Sequence, residues 1–129
     1  MIWITWRTTF EQIKLILSKE SDLEVKFECC RHDKLAQSIF KAAEYALVIT
    51  EICSTDIDGY ELIRHIKSIS HTPIVALSKV NKWDESSITQ IEVAKSLGSE
   101  YALCKSDLNL KLSKIVRVIL DMSTKQALT

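Results

Sequence analysis

Four apolar runs in this chain each end in side chains able to do polar chemistry. Thr5, Trp6 and Arg7 follow Ile2 to Ile4, Glu51 closely follows Leu47 to Ile49, Ser78 follows Ile74 to Leu77, and Lys105 follows Tyr101 to Cys104. A carboxylate, a hydroxyl and a lysine at the ends of buried strands are groups from which a charge-assisted hydrogen-bond network is built. None of the segments after these runs is a glycine-rich phosphate cradle, and the whole chain has two glycines. That excludes a Rossmann or P-loop nucleotide site, and a flavodoxin-like flavin binder would lack its phosphate loop. The four cysteines, Cys29, Cys30, Cys53 and Cys104, have neither the paired spacing of a zinc site nor the density of a disulfide scaffold. Reduced thiols are expected.

The elements that must position these groups follow from periodicity. Ile2 to Ile4, Leu23 to Phe27, Leu47 to Ile49, Ile74 to Leu77 and Tyr101 to Cys104 read as five short strands. Continuous apolar runs such as Leu47 to Ile49 suit strands buried on both faces, whereas Leu23 to Phe27 alternates as a strand near an edge does. Between them lie helical stripes. Phe10, Ile13 and Leu17 follow a Thr8-x-x-Glu11 capping box, and Leu35, Ile39 and Ala42 to Ala43 form a second face. Leu62, Ile63, Ile66 and Ile69 line a third helix, which ends before Pro73. Ile88, Ile91 and Leu97 mark a fourth, with Ser87-x-x-Gln90 as its capping box and Gly98 as its stop. Leu108, Leu112, Ile115, Val116 and Ile119 give the fifth. Strands alternating with helices imply a parallel α/β sheet covered on both faces, with the site at the carboxyl ends of its strands. One domain over residues 1–122 is expected, with 123–129 as a linker or disordered tail.

Composition narrows the function. A chain of 129 residues with 47% hydrophobic side chains holds one core. Seventeen basic residues balance seventeen acidic ones, so no net field draws nucleic acid or an anionic membrane, and direct DNA contact by this domain is not expected. No apolar run approaches the roughly eighteen residues that suggest a membrane span. A cytoplasmic location is expected.

Several segments together resemble the receiver domain of two-component response regulators. In Ala46 to Leu62 an apolar strand is followed by a loop closing in Ile57-Asp58-Gly59, and eight residues before Gly59, where that family keeps its phosphoacceptor aspartate, stands Glu51. Pro73 to Ser78 is similar to the family's proline-apolar strand ending in a hydroxyl, and Gly98 to Lys105 to its Gly-Ala-Asp-Asp-Tyr-Leu-x-Lys run. The resemblance implies a flavodoxin-like, doubly wound (βα)5 fold with a five-stranded sheet in the order 2-1-3-4-5.

The departures from that pattern bear on activity. A receiver holds Mg²⁺ with two acidic residues after strand one and with the acceptor. Here those two positions fall on Thr5 and Trp6, and no Asp or Glu precedes Glu11. A hydroxyl and an indole do not supply the carboxylate oxygens that this hard cation takes, so Mg²⁺ binding is expected to be lost and no cofactor is implied. Glu51 compounds this, because its carboxylate reaches further than an aspartate's and misplacing a nucleophile by about 1 Å costs on the order of a hundredfold in rate. Lys105 occupies the family's lysine position and is expected to pair with Glu51, while Arg7 is a permanent cation beside the vacated metal position. Ser78 keeps the hydroxyl. The family's prolines become Thr55 and Ser106, the latter a candidate cap for the last helix, and its switch aromatic becomes Ala102, with Tyr101 beside it on the opposite face. The stretch from Ser78 to Gly98 is longer than the family pattern and contains Trp83. Asp56 and Asp58 read as turn and capping residues.

The expected function is a signalling pseudo-receiver, not an enzyme, that works independently of aspartyl phosphorylation. By the resemblance it forms a homodimer through the fourth helix, fifth strand and fifth helix, and controls a fused or separate DNA-binding output domain in transcription regulation. Glu92, Lys111, Lys114 and Arg117 are the candidate dimer face. Two alternatives stand beside this reading: an active receiver phosphorylated at Glu51, and a thiol-based redox sensor using Cys53 and Cys104, which the family fold would bring near the pocket and whose reactivity a neighbouring Lys or Arg would raise.

Overall fold

A computed structural model describes residues 2–5, 7–19, 27–30, 45–52, 59–78 and 85–128; of residues 2–5, 7–10, 27–30, 85–87, 105 and 122–128 the described part is the backbone. Five strands form one sheet: β1 (Ile2–Thr5), β2 (Phe27–Cys30), β3 (Leu47–Glu51), β4 (Ile74–Ser78) and β5 (Tyr101–Cys104). Their spatial order is β2-β1-β3-β4-β5 and the registered pairs are all parallel, the doubly wound arrangement expected. The described helices are α1 (Arg7–Ser18), α2 (Gly59–Ile69), α3 (Glu85–Ser96) and α4 (Leu108–Leu128), with a 3-10 turn over Lys105–Asp107. The last three are the third, fourth and fifth helices of the sequence pattern. The second, over Leu35 to Ala43, lies outside the described residues, as do Trp6, Cys53, Thr55, Asp56, Asp58 and Trp83.

Alternation along the strands sorts the core into two layers. Leu47, Ile49, Val75, Leu77 and Leu103 pack with Ile13, Leu17, Leu108, Leu112, Val116 and Ile119 of α1 and α4. On the other face Val48, Ile74, Ala76 and Ala102 pack with Leu62, Ile63, Ile66, Ile91 and Ala94 of α2 and α3. Both β3 and β4 are buried at every position, as central strands covered on both sides must be. Tyr101 and Ala102 fall on opposite faces, as the period of two requires.

Several boundaries differ from the sequence pattern. The second strand is Phe27–Cys30, and residues 23–26 lie outside the described part. Helix α1 begins at Arg7, so Thr8 stands inside the first turn and cannot be its cap. Helix α3 begins at Glu85, which puts Ser87 in the first turn too, and the Gln90 side-chain oxygen is buried with no hydrogen-bond partner among the described residues. The residue directly before α4 is Asp107, with Ser106 in the 3-10 turn. Helix α4 continues to Leu128, so the polar residues read as a tail from Ser123 extend the helix. Ile69 and Ile88, expected on inner faces, are 54% and 42% exposed. Both stand in a terminal turn of their helix. Gly98 does stop α3: its φ is 115°, its N–H donates to Lys95 O at 3.0 Å, and Ser99 N–H donates to Ala94 O at 3.1 Å. This is the Schellman closure that favours glycine.

Candidate functional site

The register brings the sequence-predicted residues to one edge of the sheet. Ile4 pairs with Ile49, Glu51 with Leu77 and Ser78 with Cys104, so Thr5, Glu51, Ser78 and the start of the turn at Lys105 all stand at the carboxyl ends of adjacent strands. The site straddles β1 and β3, where the strand order reverses, the place where open α/β sheets put their sites.

The polar residues there are deeply buried. Glu51 is 2% exposed, Thr50 1% and Ser78 0%. Burying a carboxylate is costly unless polar groups meet it, so a buried Glu at a strand end is a constrained group, unlike a surface substitution. Glu51 continues the row of Leu47 and Ile49, whereas Ser78 and Cys104 continue the row of Ile74, Ala76 and Ala102. The two rows belong to opposite faces. Lys105 stands one strand beyond Ser78, and the side chains of Lys105, Thr5 and Arg7 lie outside the described part, as does Trp6.

Main-chain contacts close the site from the helix side. The Ile52 N–H donates to Leu77 O at 2.9 Å, extending the ladder one step past Glu51, and the Gly59 N–H donates to Ile52 O at 3.0 Å. A Cβ on Gly59 would stand 2.1 Å from Glu51 O and 2.6 Å from Ile52 Cα. The start of α2 thus rests backbone against backbone on the end of β3, and only glycine leaves room for that. Inside this junction the Thr50 hydroxyl donates to Glu51 O at 3.1 Å. Neither Thr50 nor the close approach of Gly59 was legible as a site feature, although glycine at the close of the loop after Glu51 was the available signal.

In sequence, Thr5, Trp6 and Arg7 carry a hydroxyl, an indole and a guanidinium, none of them a carboxylate. Among the described residues no group of three or more His, Cys, Asp or Glu could hold a metal ion.

The remaining predicted residues lie elsewhere. Cys104 is fully buried in the core between the sheet and α2 and α3. Of the candidate dimer residues, Glu92 on α3 and Lys111 and Lys114 on α4 are exposed, whereas Arg117 is half-buried. Lys111 lies 3.9 Å from Asp107 one turn back. No helix among the described residues is long and apolar enough to cross a membrane.

No family model and no curated protein matches the chain. Solved structures do. A response-regulator receiver domain protein from Clostridium thermocellum superposes with a TM-score of 0.77 at 19% identity, covering 99% of this chain and 98% of that one. A two-component response regulator from Clostridium difficile gives 0.73 at 24% identity, covering 93% and 94%. The BeF3-activated N-terminal receiver domain of RstA from Klebsiella pneumoniae gives 0.68 at 19%, covering 93% and 98%. The resemblance first read from three short segments therefore extends over almost the whole backbone, and the chain has the receiver-domain fold of two-component response regulators.

Proposed function

We propose that the chain is a signalling module of the receiver type that works without aspartyl phosphorylation. One observation carries this reading: the acceptor position at the end of β3 holds a longer carboxylate, Glu51, buried at 2% exposure, while β1 runs out into Thr5, Trp6 and Arg7 in place of metal-binding carboxylates. Phosphoryl transfer to a carboxylate needs an in-line nucleophile and a cation to neutralise the equatorial oxygens. Thr5 and Trp6 bring no carboxylate for that cation, and Glu51 is one methylene longer than the family's acceptor. Glu51 then serves as a fixed charge, with Lys105 as the partner that its sequence position suggests and Arg7 as a permanent cation nearby.

The module acts by association. The face formed by α3, β5 and α4 carries Glu92 against Lys111 and Lys114, a mixed-charge surface suited to an isologous pair. The output is a DNA-binding partner, fused or separate, since the balanced charge of this domain gives it no field of its own for DNA.

The test is direct. The purified chain, incubated with Mg²⁺ and a small-molecule phosphodonor, should keep its intact mass, and its sedimentation should show a dimer that Lys111→Glu with Lys114→Glu weakens. A gain of one phosphoryl mass located on Glu51 would establish the active-receiver reading instead. The thiol-sensing reading has less support, because an oxidant must reach the sulfur and Cys104 is wholly enclosed in the core.

A further inference from the structure

We propose that α2 is an axial strut that mechanically couples the Glu51 edge of the sheet to its opposite, amino edge. The helix has eleven residues, so it is about 16 Å long, close to the span of the five-residue strands β3 and β4 beneath it. Both of its ends are fixed, each by a different device.

At the carboxyl edge there is no slack. The Gly59 N–H donates to Ile52 O at 3.0 Å, and the Cβ position of Gly59 falls inside contact distance of Glu51 O. The first turn cannot advance toward β3 without collision, and it cannot retreat without breaking that hydrogen bond. At the amino edge the last turn is tied by Lys67. Its ammonium donates to Thr72 O at 3.0 Å and pairs with one oxygen of Glu100. The other oxygen of Glu100 accepts the Ile74 N–H at 2.6 Å. One carboxylate thereby joins the end of α2 to the first residue of β4 and to the start of β5. The Lys67 stem is also hemmed in by Gly98, whose Cβ position lies 3.0 Å from Lys67 Cγ.

This pair is less exposed than the surface pair on the same helix. Arg64 and Glu61 are 63% and 51% exposed, within reach of water that screens them, whereas Lys67 is 18% and Glu100 38% exposed. Between the two fixed ends, Leu62, Ile63 and Ile66 are fully buried and hold the helix on the sheet. Packed interiors transmit displacement because they have no free volume to absorb it. A shift at residue 59 therefore reaches Lys67, and loosening of Lys67 reaches residue 59, since coupling between two sites is reciprocal. The coupling does not depend on whether Glu51 accepts a phosphoryl group, which the phosphodonor experiment decides separately.

Amide hydrogen exchange on the whole chain tests it from both ends. Glu100→Gln removes the ion pair and keeps an acceptor for the Ile74 N–H. It should speed exchange of the distant Gly59 amide by about tenfold relative to strand amides such as Ile49 and Leu77, which report global opening. Gly59→Ala should produce the converse, faster exchange and a shifted resonance at Ile74. If Gly59→Ala does not fold, Glu100→Gln decides alone. Changes confined to the neighbourhood of residue 100, with the Gly59 amide unchanged against the strand amides, would overturn the proposal.

Discussion

The two edges of this sheet are built on opposite plans. At the carboxyl edge Thr50, Glu51 and Ser78 are buried at strand ends, and among the described residues main chain meets main chain where Gly59 rests on Glu51 and Ile52. At the amino edge polar side chains do the joining. Glu100 reaches Lys67 and the Ile74 N–H, the Ser99 hydroxyl lies 3.0 Å from Ile74 O and 2.7 Å from Tyr101 O, and the hydroxyls of Ser70 and Thr72 meet at 2.6 Å. The contrast separates the joints that hold the sheet together from the strand ends at which Glu51 and Ser78 stand. Two apolar layers and the amino-edge network hold the strands.

If that is right, the carboxyl edge is intolerant of bulk and tolerant of chemical change. The largest effect is expected at Gly59→Val. A side chain there meets backbone, which cannot swing away, so the cost should exceed the roughly 1–3 kcal/mol usual for overpacking. Urea unfolding monitored by circular dichroism measures it. A midpoint close to that of the unchanged chain would mean that the α2 junction is plastic and the two edges are alike.

The amino edge should respond to loss of polarity instead. Glu100→Ala removes the ion pair and strips the Ile74 N–H of its acceptor, for an expected loss of about 1–2 kcal/mol, held down because water reaches a side chain that is 38% exposed. Ser99→Ala should cost less, about 1 kcal/mol, since its single proton serves one of two carbonyls at a time. The ratio of the two effects, read from the same unfolding curves, shows whether the carboxylate or the hydroxyl is the stronger joint.

What the sequence made legible follows the same division. The carboxyl edge could be read because its residues sit within short motifs: Glu51 lies eight positions before Gly59, Ser78 ends a strand opened by Pro73, and Lys105 follows Gly98 by seven. The strand order came from the family resemblance, whereas the alternation of strands with helices on a sheet covered on both faces followed from the apolar periodicity. The amino-edge network could not be read, because Glu100 and Ile74 lie 26 positions apart and Glu100 and Lys67 lie 33 apart, and no local pattern announces such a pairing. In the sequence, Ser99 and Glu100 were only motif positions. Helix ends were misplaced for a related reason: Thr8 and Ser87 begin the right spacing for a capping box, but the helices they were meant to start begin one and two residues earlier, and spacing alone cannot fix a boundary that tertiary packing decides.

The smallest expected effect is the most informative about the carboxyl edge. Glu51→Asp restores the family's acceptor while leaving Thr5, Trp6 and Arg7 unchanged. If Glu51 were the only obstacle to phosphorylation, this one substitution would let the chain take up a phosphoryl group from a small donor in Mg²⁺. The expected outcome is no gain in intact mass, because the acceptor's geometry is repaired and the cation's ligands are not. Adding Thr5→Asp and Trp6→Asp supplies those carboxylates, and uptake that appears only in the triple variant would show that the losses at β1 and β3 act together. Uptake by Glu51→Asp alone would place the whole difference in one methylene and make the end of β1 irrelevant to it.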